Sequence, residues 1–277
     1  MSGQIIGMHD WLATPPGQYL LACERAQMAQ AVSDVFGFHA LQLGLPELDA
    51  LEANRMPHRW LATQSAAELA LSPRVAFATN FFALPFAANS LDLVVMPHTL
   101  ELTADPHGAL REVERVLMPE GRVVICGLNP VSLWGFRQQR ARWYRHLGKA
   151  SLFLPEEGEF IGYLRVRDWL RLLNLEIVDG HFGCYRPALS NQHWLNRFNW
   201  MDKAGARWWP ILGSVYFLVA VKRLPGVTLL NPARKPALRL SVTPVPVANS
   251  TGTIRATGLD LGFCQKDLQV NPNEPTL

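Results

Sequence analysis

The sequence predicts an α/β protein built from parallel β-α-β units, and three observations lead there. Residues 75–129 contain three short apolar runs: Val75-Ala76-Phe77-Ala78-Thr79, Leu91-Asp92-Leu93-Val94-Val95-Met96 and Arg122-Val123-Val124-Ile125-Cys126. A helical stretch separates the last two, opening at Asp105-Pro106 and stopping at Met118-Pro119-Glu120-Gly121. Strand, loop, strand, helix, strand is the order of a parallel sheet with crossovers. The third observation is bulk composition. With 277 residues, 49% hydrophobic and 18% charged, the chain can fill the core of one large domain with appendages. In such sheets ligands lie outside the carboxyl ends of the strands. Chemistry is therefore expected in the loops after Thr79, Met96 and Cys126.

The elements follow in order. Residues 1–17 are an N-terminal extension, broken by Pro15-Pro16-Gly17. Residues 18–36 read as a helix with Leu21, Met28, Val32 and Val35 on its buried face and Glu24, Arg25 and Gln27 elsewhere; Gly37 stops it. A strand at 40–43 ends in Gly44, a crossover helix is expected at 47–54, and a second strand at 59–62. A connection with helical character spans 65–71. The helix at 107–117 is the best marked. Asp105 suits the N-cap, and Pro106 suits N1, where its missing N–H is no loss. Leu110, Val113 and Leu117 form its buried stripe, and Glu112, Glu114 and Arg115 are expected to face water.

Residues 133–149 differ from the rest. Arg137, Arg140, Arg142, Arg145 and Lys149 alternate there with Trp134, Phe136, Trp143 and Tyr144, and no acid occurs. This reads as a basic, aromatic helix outside the sheet. A loop with three glutamates follows at 151–160. A helix at 166–174 turns Trp169, Leu170 and Leu173 inward, and strands follow at 175–178 and 214–222. Between them, 181–210 is loop-rich and carries Trp194, Trp200, Trp208 and Trp209. From residue 224 prolines punctuate a stretch without periodicity, read as a mostly disordered tail at 224–277.

Composition narrows the function. A net charge of +3 is too slight to mark a nucleic-acid binder without local clustering. Cys23, Cys126, Cys184 and Cys264 form no Cys-x-x-Cys pair, and the N-terminus does not resemble a secretory signal, so a reduced, cytoplasmic protein with inert thiols is expected. No run reaches the roughly 18 apolar residues of a membrane span. The eight histidines show no i, i+4 pairing with a third ligand, and no metal is expected.

Residues 75–129 also resemble the class I S-adenosylmethionine-dependent methyltransferases of the small-molecule, type 11-like kind. The matching runs are Asn80-Phe81-Phe82-Ala83-Leu84-Pro85-Phe86, Ser90-Leu91-Asp92-Leu93-Val94-Val95 and His98-Thr99-Leu100-Glu101. They continue into Asp105-Pro106, Leu110-Arg111-Glu112-Val113 and Arg115-Val116-Leu117-Met118-Pro119-Glu120-Gly121. The resemblance extends weakly to Leu172-Leu173-Asn174-Leu175-Glu176-Ile177-Val178 and covers roughly 18–223. Gly127-Leu128-Asn129-Pro130 suggests a proteobacterial branch. It implies a Rossmann-like sheet of seven strands, the last antiparallel, with helices on both faces. It also implies a methyltransferase domain at 18–223, with 134–160 and 181–210 as substrate-side insertions. The implied cofactor is S-adenosyl-L-methionine, lying across the ends of the first three strands.

The chain departs from the family at the cofactor motifs. The family's first strand ends in an acid followed by three alternating glycines; here Gln42 replaces the acid, only Gly44 survives, and Pro46 and Leu48 take the other glycine positions. Pro46 lacks an N–H, and Leu48 brings a side chain where close approach is expected. Gln64 stands near the end of the second strand in place of the carboxylate for the ribose, and Asn80 in place of the acid beside adenine. Either the branch holds the cofactor by an altered loop or it has lost binding.

By the resemblance, Gln42, Gly44, Leu45, Pro46, Gln64, Asn80 and Phe81 are the cofactor-side candidates. Phe81 could pack on the base or simply fill the core. His98 is the candidate catalytic residue, on the substrate side as a base or orienting group, or else a satisfied histidine. Methyl transfer asks little chemistry of the protein, since the sulfonium is already activated. The basic segment reads as a lid, a grip on the phosphates of a nucleic acid or acidic metabolite, an amphipathic surface on anionic lipid, or a solvated cationic face. The alternative to an enzyme is a non-catalytic protein on this fold, binding a partner or nucleic acid through Arg137, Arg140, Arg142, Arg145 and Lys149.

Overall fold

A computed structural model describes residues 7–145, 153–155 and 158–223. The side chain of Arg145, residue Lys149 and the 224–277 tail lie outside the described residues. The chain opens with α1 (Met8–Leu12) and α2 (Pro15–Ser33), then β1 (His39–Leu43), β2 (His58–Thr63), α3 (Ala66–Leu71), β3 (Phe77–Ala78) and β4 (Leu91–Pro97). Next come α4 (Thr99–Leu102), α5 (Pro106–Val116), β5 (Leu117–Leu128), α6 (Leu133–Arg145), α7 (Tyr163–Leu172) and β6 (Leu175–Gly183). The described fold closes with α8 (Gln192–Arg197), α9 (Trp200–Trp208), a 3-10 turn (Pro210–Leu212) and β7 (Val215–Lys222).

The seven strands form one sheet in the order β3-β2-β1-β4-β5-β7-β6. β1 to β5 are parallel; β7 runs antiparallel between β5 and β6. This is the sheet the resemblance implies. Period-two alternation distributes the strands' side chains between two cores. Leu93, Val95, Val124, Cys126, Val215 and Phe217 face α1, α2 and Trp134. Val94, Met96, Val123, Ile125, Tyr216 and Leu218 face α5 and α7. Both faces are covered, which is why the strands read as near-continuous apolar runs.

Local chemistry explains the well-placed elements. Asp105 caps α5, its side chain accepting from the Gly108 N–H at 3.0 Å, with Pro106 in the first turn. Met118–Gly121 does not end the strand that follows. It forms a bulge inside β5, where pairing steps from Leu91↔Leu117 to Leu93↔Arg122 and Glu120 takes φ 64°.

Four expectations need correction. Pro15-Pro16 does not break the N-terminus; both prolines sit at the start of α2, where a helix tolerates them, and Met8, Trp11 and Leu12 bury a further short helix. Residues 47–54 form turns rather than a helix, since their carbonyls are taken by Gln42 and Arg59 side chains. The segment 181–210 is less loop-rich than expected: β6 runs on to Gly183, and α8 and α9 follow. Glu24 is not set apart from the buried face of α2. It is fully buried on α2 against the sheet.

Candidate functional site

The strand order reverses between β1 and β4, and a cavity of about 70 Å³ opens there at their carboxyl ends. Gly44, Leu45, Gln64, Phe81, Thr99 and Thr103 line it, with Met8 and His9 of α1 at its mouth. Past α1 it adjoins an open cleft of about 540 Å³ that shares Met8, His9, Gln64, Glu68 and Leu102 and reaches Gly158. His9 bridges two acids at this mouth: Nδ1 bonds Glu47, and Nε2 stands 3.7 Å from Glu68. Burial disfavours the charged imidazole, but the two carboxylates outweigh it and raise its pKa.

The turn after β1 is built around Gln42. Gly44 and Leu45 take φ of 76° and 50°, and the Gly44 N–H donates to Ala62 C=O at 2.8 Å. A Cβ on Gly44 would approach nothing closer than the Thr99 hydroxyl at 3.6 Å, so glycine serves here for its backbone conformation rather than for room. Beneath the turn the Gln42 amide donates to the carbonyls of Gly44 (3.1 Å), Leu45 (3.1 Å) and Leu48 (2.8 Å), and its oxygen accepts from Ala50 N–H (3.0 Å). A carboxylate can only accept. The exchange of acid for amide therefore matches a turn whose carbonyls point inward. Leu48, at a family glycine position, is fully buried in the core.

The predicted cofactor-side residues separate. Gly44, Leu45, Gln64 and Phe81 meet around the cavity, where Gln64 bonds the Thr103 hydroxyl at 3.3 Å. Gln42 lies behind the turn. Pro46 turns its carbonyl to Arg74 at 3.2 Å, and exposed Asn80 bonds the Phe82 N–H at 3.0 Å; neither lines the cavity. Sequence reading missed Met8, His9, Glu68 and Thr99. The i, i+3, i+4 spacing of Met8, Trp11 and Leu12 was the available signal for α1.

His98 does not face the substrate side. It follows β4 as the N-cap of α4 at φ 52° and is wholly buried in an ionic cluster. Its Nε2 meets Glu24 at 2.6 Å and its Nδ1 meets Glu101 at 2.9 Å. Glu101 also accepts the Leu128 N–H, and the Cys126 thiol lies 3.4 Å from Glu24. Burial opposes the imidazolium, yet the charges of Glu24 and Glu101 raise its pKa well above the ordinary value. Burial raises the Glu101 pKa, and His98 offsets this only in part. In this cluster, Glu24 Oε2 and the Tyr216 hydroxyl are buried without a hydrogen-bond partner. Metal-competent atoms of Glu24, His98 and Cys126 lie within 4.8 Å of one another, a convergence no sequence spacing announced. At 2.6 Å the imidazole and carboxylate are in direct hydrogen bond rather than spread around an ion.

The basic segment is anchored rather than lying free of the fold. Trp134 is fully buried, edge-on to Trp11 at 5.9 Å and Phe153 at 5.5 Å, and its indole donates to Arg186 C=O at 2.8 Å. The Arg137 guanidinium bonds the Ala188 carbonyl and lies over Phe153, so it is a structural cation. Arg140 and Arg142 are exposed.

Residues 58–125 match the family model described as a methyltransferase domain. The chain is 32% identical over 244 residues to the Escherichia coli protein carried as "Uncharacterized protein YafS", a match that covers 86% of this chain and 92% of that one. Among solved structures, a SAM-dependent methyltransferase from Archaeoglobus fulgidus aligns at TM-score 0.51 and 15% identity, covering 72% of this chain and 92% of that one. A putative S-adenosylmethionine-dependent methyltransferase from Listeria monocytogenes aligns at TM-score 0.51 and 13% identity, covering 74% and 99%. At these identities the structural likeness speaks to the fold.

Proposed function

This chain belongs to the same family as Escherichia coli YafS and carries a methyltransferase domain on the fold of the S-adenosylmethionine-dependent methyltransferases, and from that premise we propose that it transfers a methyl group from S-adenosylmethionine to an acceptor bound at the carboxyl edge of its sheet. The carrying observation is the cavity between the ends of β1 and β4, the switch point where α/β sheets bind ligands.

The residues present fit such a cofactor. The cleft adjoining the cavity lies within the roughly 300–1,000 Å³ of ligand sites, and Glu68 lines both. Gly44 and Leu45 would meet the cofactor with backbone, Phe81 with an apolar wall and Gln64 with a neutral amide for hydroxyl groups. Gln42 and Pro46 would act behind the turn, and Asn80 by shaping the loop after β3. Bound there, the cofactor supplies a methyl group already activated on a sulfonium. The chain's part is to hold the acceptor in line and keep water out. His98 would set the turn that carries Thr99 rather than touch the acceptor. The domain is taken as 18–223 acting in the cytoplasm, with 134–160 and 181–210 on the acceptor side.

One observation favours a second reading, a non-catalytic protein binding a partner or nucleic acid through its basic segment: Pro46 and Leu48 replace two of the three glycines of the family's turn after β1. Isothermal titration with S-adenosylmethionine and S-adenosylhomocysteine separates the two. Saturable binding of both is expected; no heat at millimolar ligand overturns the first reading.

A further inference from the structure

The methyltransferase reading places two segments on the acceptor side without saying what their outer surface meets. Residues 129–145 follow β5 and residues 184–214 join β6 to β7. Val215 pairs with both Leu128 and Gly183, so the two segments leave the sheet at the carboxyl end of β5, the end that also carries the cavity. They are tied together. The Asn129 amide donates to Ile211 C=O at 2.8 Å and Gly213 C=O at 2.9 Å, and Trp134 donates to Arg186 C=O.

Their charge is one-sided. They hold eight of the chain's 26 arginines and lysines but one of its 23 acids, Asp202, which is paired with Arg186 at 2.9 Å. They also expose large apolar side chains: Trp208 is 75% exposed, Trp143 66%, Ile211 64%, Trp200 59% and Phe136 56%. On α9, Trp200, Lys203 and Arg207 fall on one outer face at i, i+3 and i+7, while Gly205 is buried on the inner face against Tyr185.

We propose that this surface docks the protein peripherally on an anionic phospholipid bilayer. The tryptophan and phenylalanine rings would enter the headgroup layer, and the exposed Arg140, Arg142, Arg197, Lys203 and Arg207 would meet lipid phosphates. Cations alternating with Trp, Phe and aliphatic side chains are the make-up of a face that lies in a membrane interface. A nucleic acid would also engage the cations and rings, but it gives Ile211 and Leu212 nothing to bury into. Among the described residues no helix is long and apolar enough to cross a membrane, so attachment is to the surface. Docked this way, the cleft would draw its methyl acceptor from the bilayer, a step that rests on the methyltransferase reading.

The test is flotation of the full chain with vesicles of phosphatidylcholine alone and of phosphatidylcholine with an equal share of phosphatidylglycerol, alongside binding to a short single-stranded RNA. Flotation is expected with the anionic vesicles and should weaken with salt. Each basic residue lost should weaken it about fivefold, so Arg140→Glu with Arg207→Glu should lower it at least about 25-fold. Trp200→Ala with Trp208→Ala should also lower it about tenfold, with charge unchanged. No flotation on anionic vesicles at low salt overturns the proposal. So does an aromatic double variant that floats like the parent, and RNA binding without flotation moves the surface to nucleic acid. Cofactor titration of the same variants keeps the two readings apart. A parent chain that binds cofactor without floating fails docking alone, one that floats without binding cofactor fails the methyltransferase reading alone, and variants that lose flotation while keeping cofactor binding are the expected result.

Discussion

The turns after β1 and after β4 border the same cavity and are held by opposite means. Behind the first, one neutral amide, Gln42, satisfies three carbonyls and one N–H. Behind the second, His98 sits between Glu24 and Glu101, all three withdrawn from water. An amide meets its partners without carrying charge, so its hold is indifferent to pH. A buried ionic cluster holds only while each partner is present, because desolvation of an uncompensated charge is costly. One rim of the cavity is thus set by hydrogen-bond count and the other by charge.

Breaking the ionic rim should have the largest effect. His98→Ala leaves two carboxylates facing each other in the core and should cost ~3–5 kcal/mol, or roughly 10 °C in Tm for a domain of this size. Urea and thermal melts measure it. Gln42→Glu comes next. It removes the two N–H donors that three carbonyls share and sets a carboxylate against those carbonyls, an expected loss of ~2–4 kcal/mol. Part of that loss should return on acidification, as the introduced carboxyl protonates.

The contrast sharpens with pH. His98 and Glu101 both hold their protons more tightly in the folded state. For His98 the stabilisation is complete below its unfolded pKa of 6.5 and is lost as pH rises through the raised folded value. For Glu101 it is complete below 4.5 and is lost in the same direction. Stability should therefore fall toward alkaline pH. His98→Gln should flatten that slope, whereas Gln42→Leu should lower stability and keep the parental slope, as urea melts at several pH values will read. The smallest effect is expected at Gly44→Ala. The new Cβ meets no close neighbour, so the cost is the φ of 76° alone, about 1 kcal/mol.

Much of the sheet was legible because it depends on local regularities. The run at 93–96 is apolar on both faces, as a strand covered on both sides must be, and Asp105-Pro106 marks a helix start in any context. The cavity was half legible. Gly44 and Phe81 could be placed by resemblance, but Met8 and His9 were hidden in a segment set aside as an extension. The ionic cluster was not legible. Glu24 looked set apart from the buried face of its helix because polarity assigns a helical position to water unless a partner is known, and its partner lies 74 residues away.

By itself, then, the sequence determined the central strands, the capped helix, the chain order of the β-α-β units and the concentration of cations and tryptophans in two segments. These follow from side-chain periodicity, capping chemistry and composition, which act over a few residues. Tertiary structure alone decided that Glu24, His98, Glu101 and Cys126 share one buried cluster, that Gln42 closes its turn from beneath, and that both basic segments leave the sheet at the cavity's end. Those facts depend on which strand lies beside which. Only the assembled sheet brings together charges and hydrogen-bonding groups so far apart along the chain.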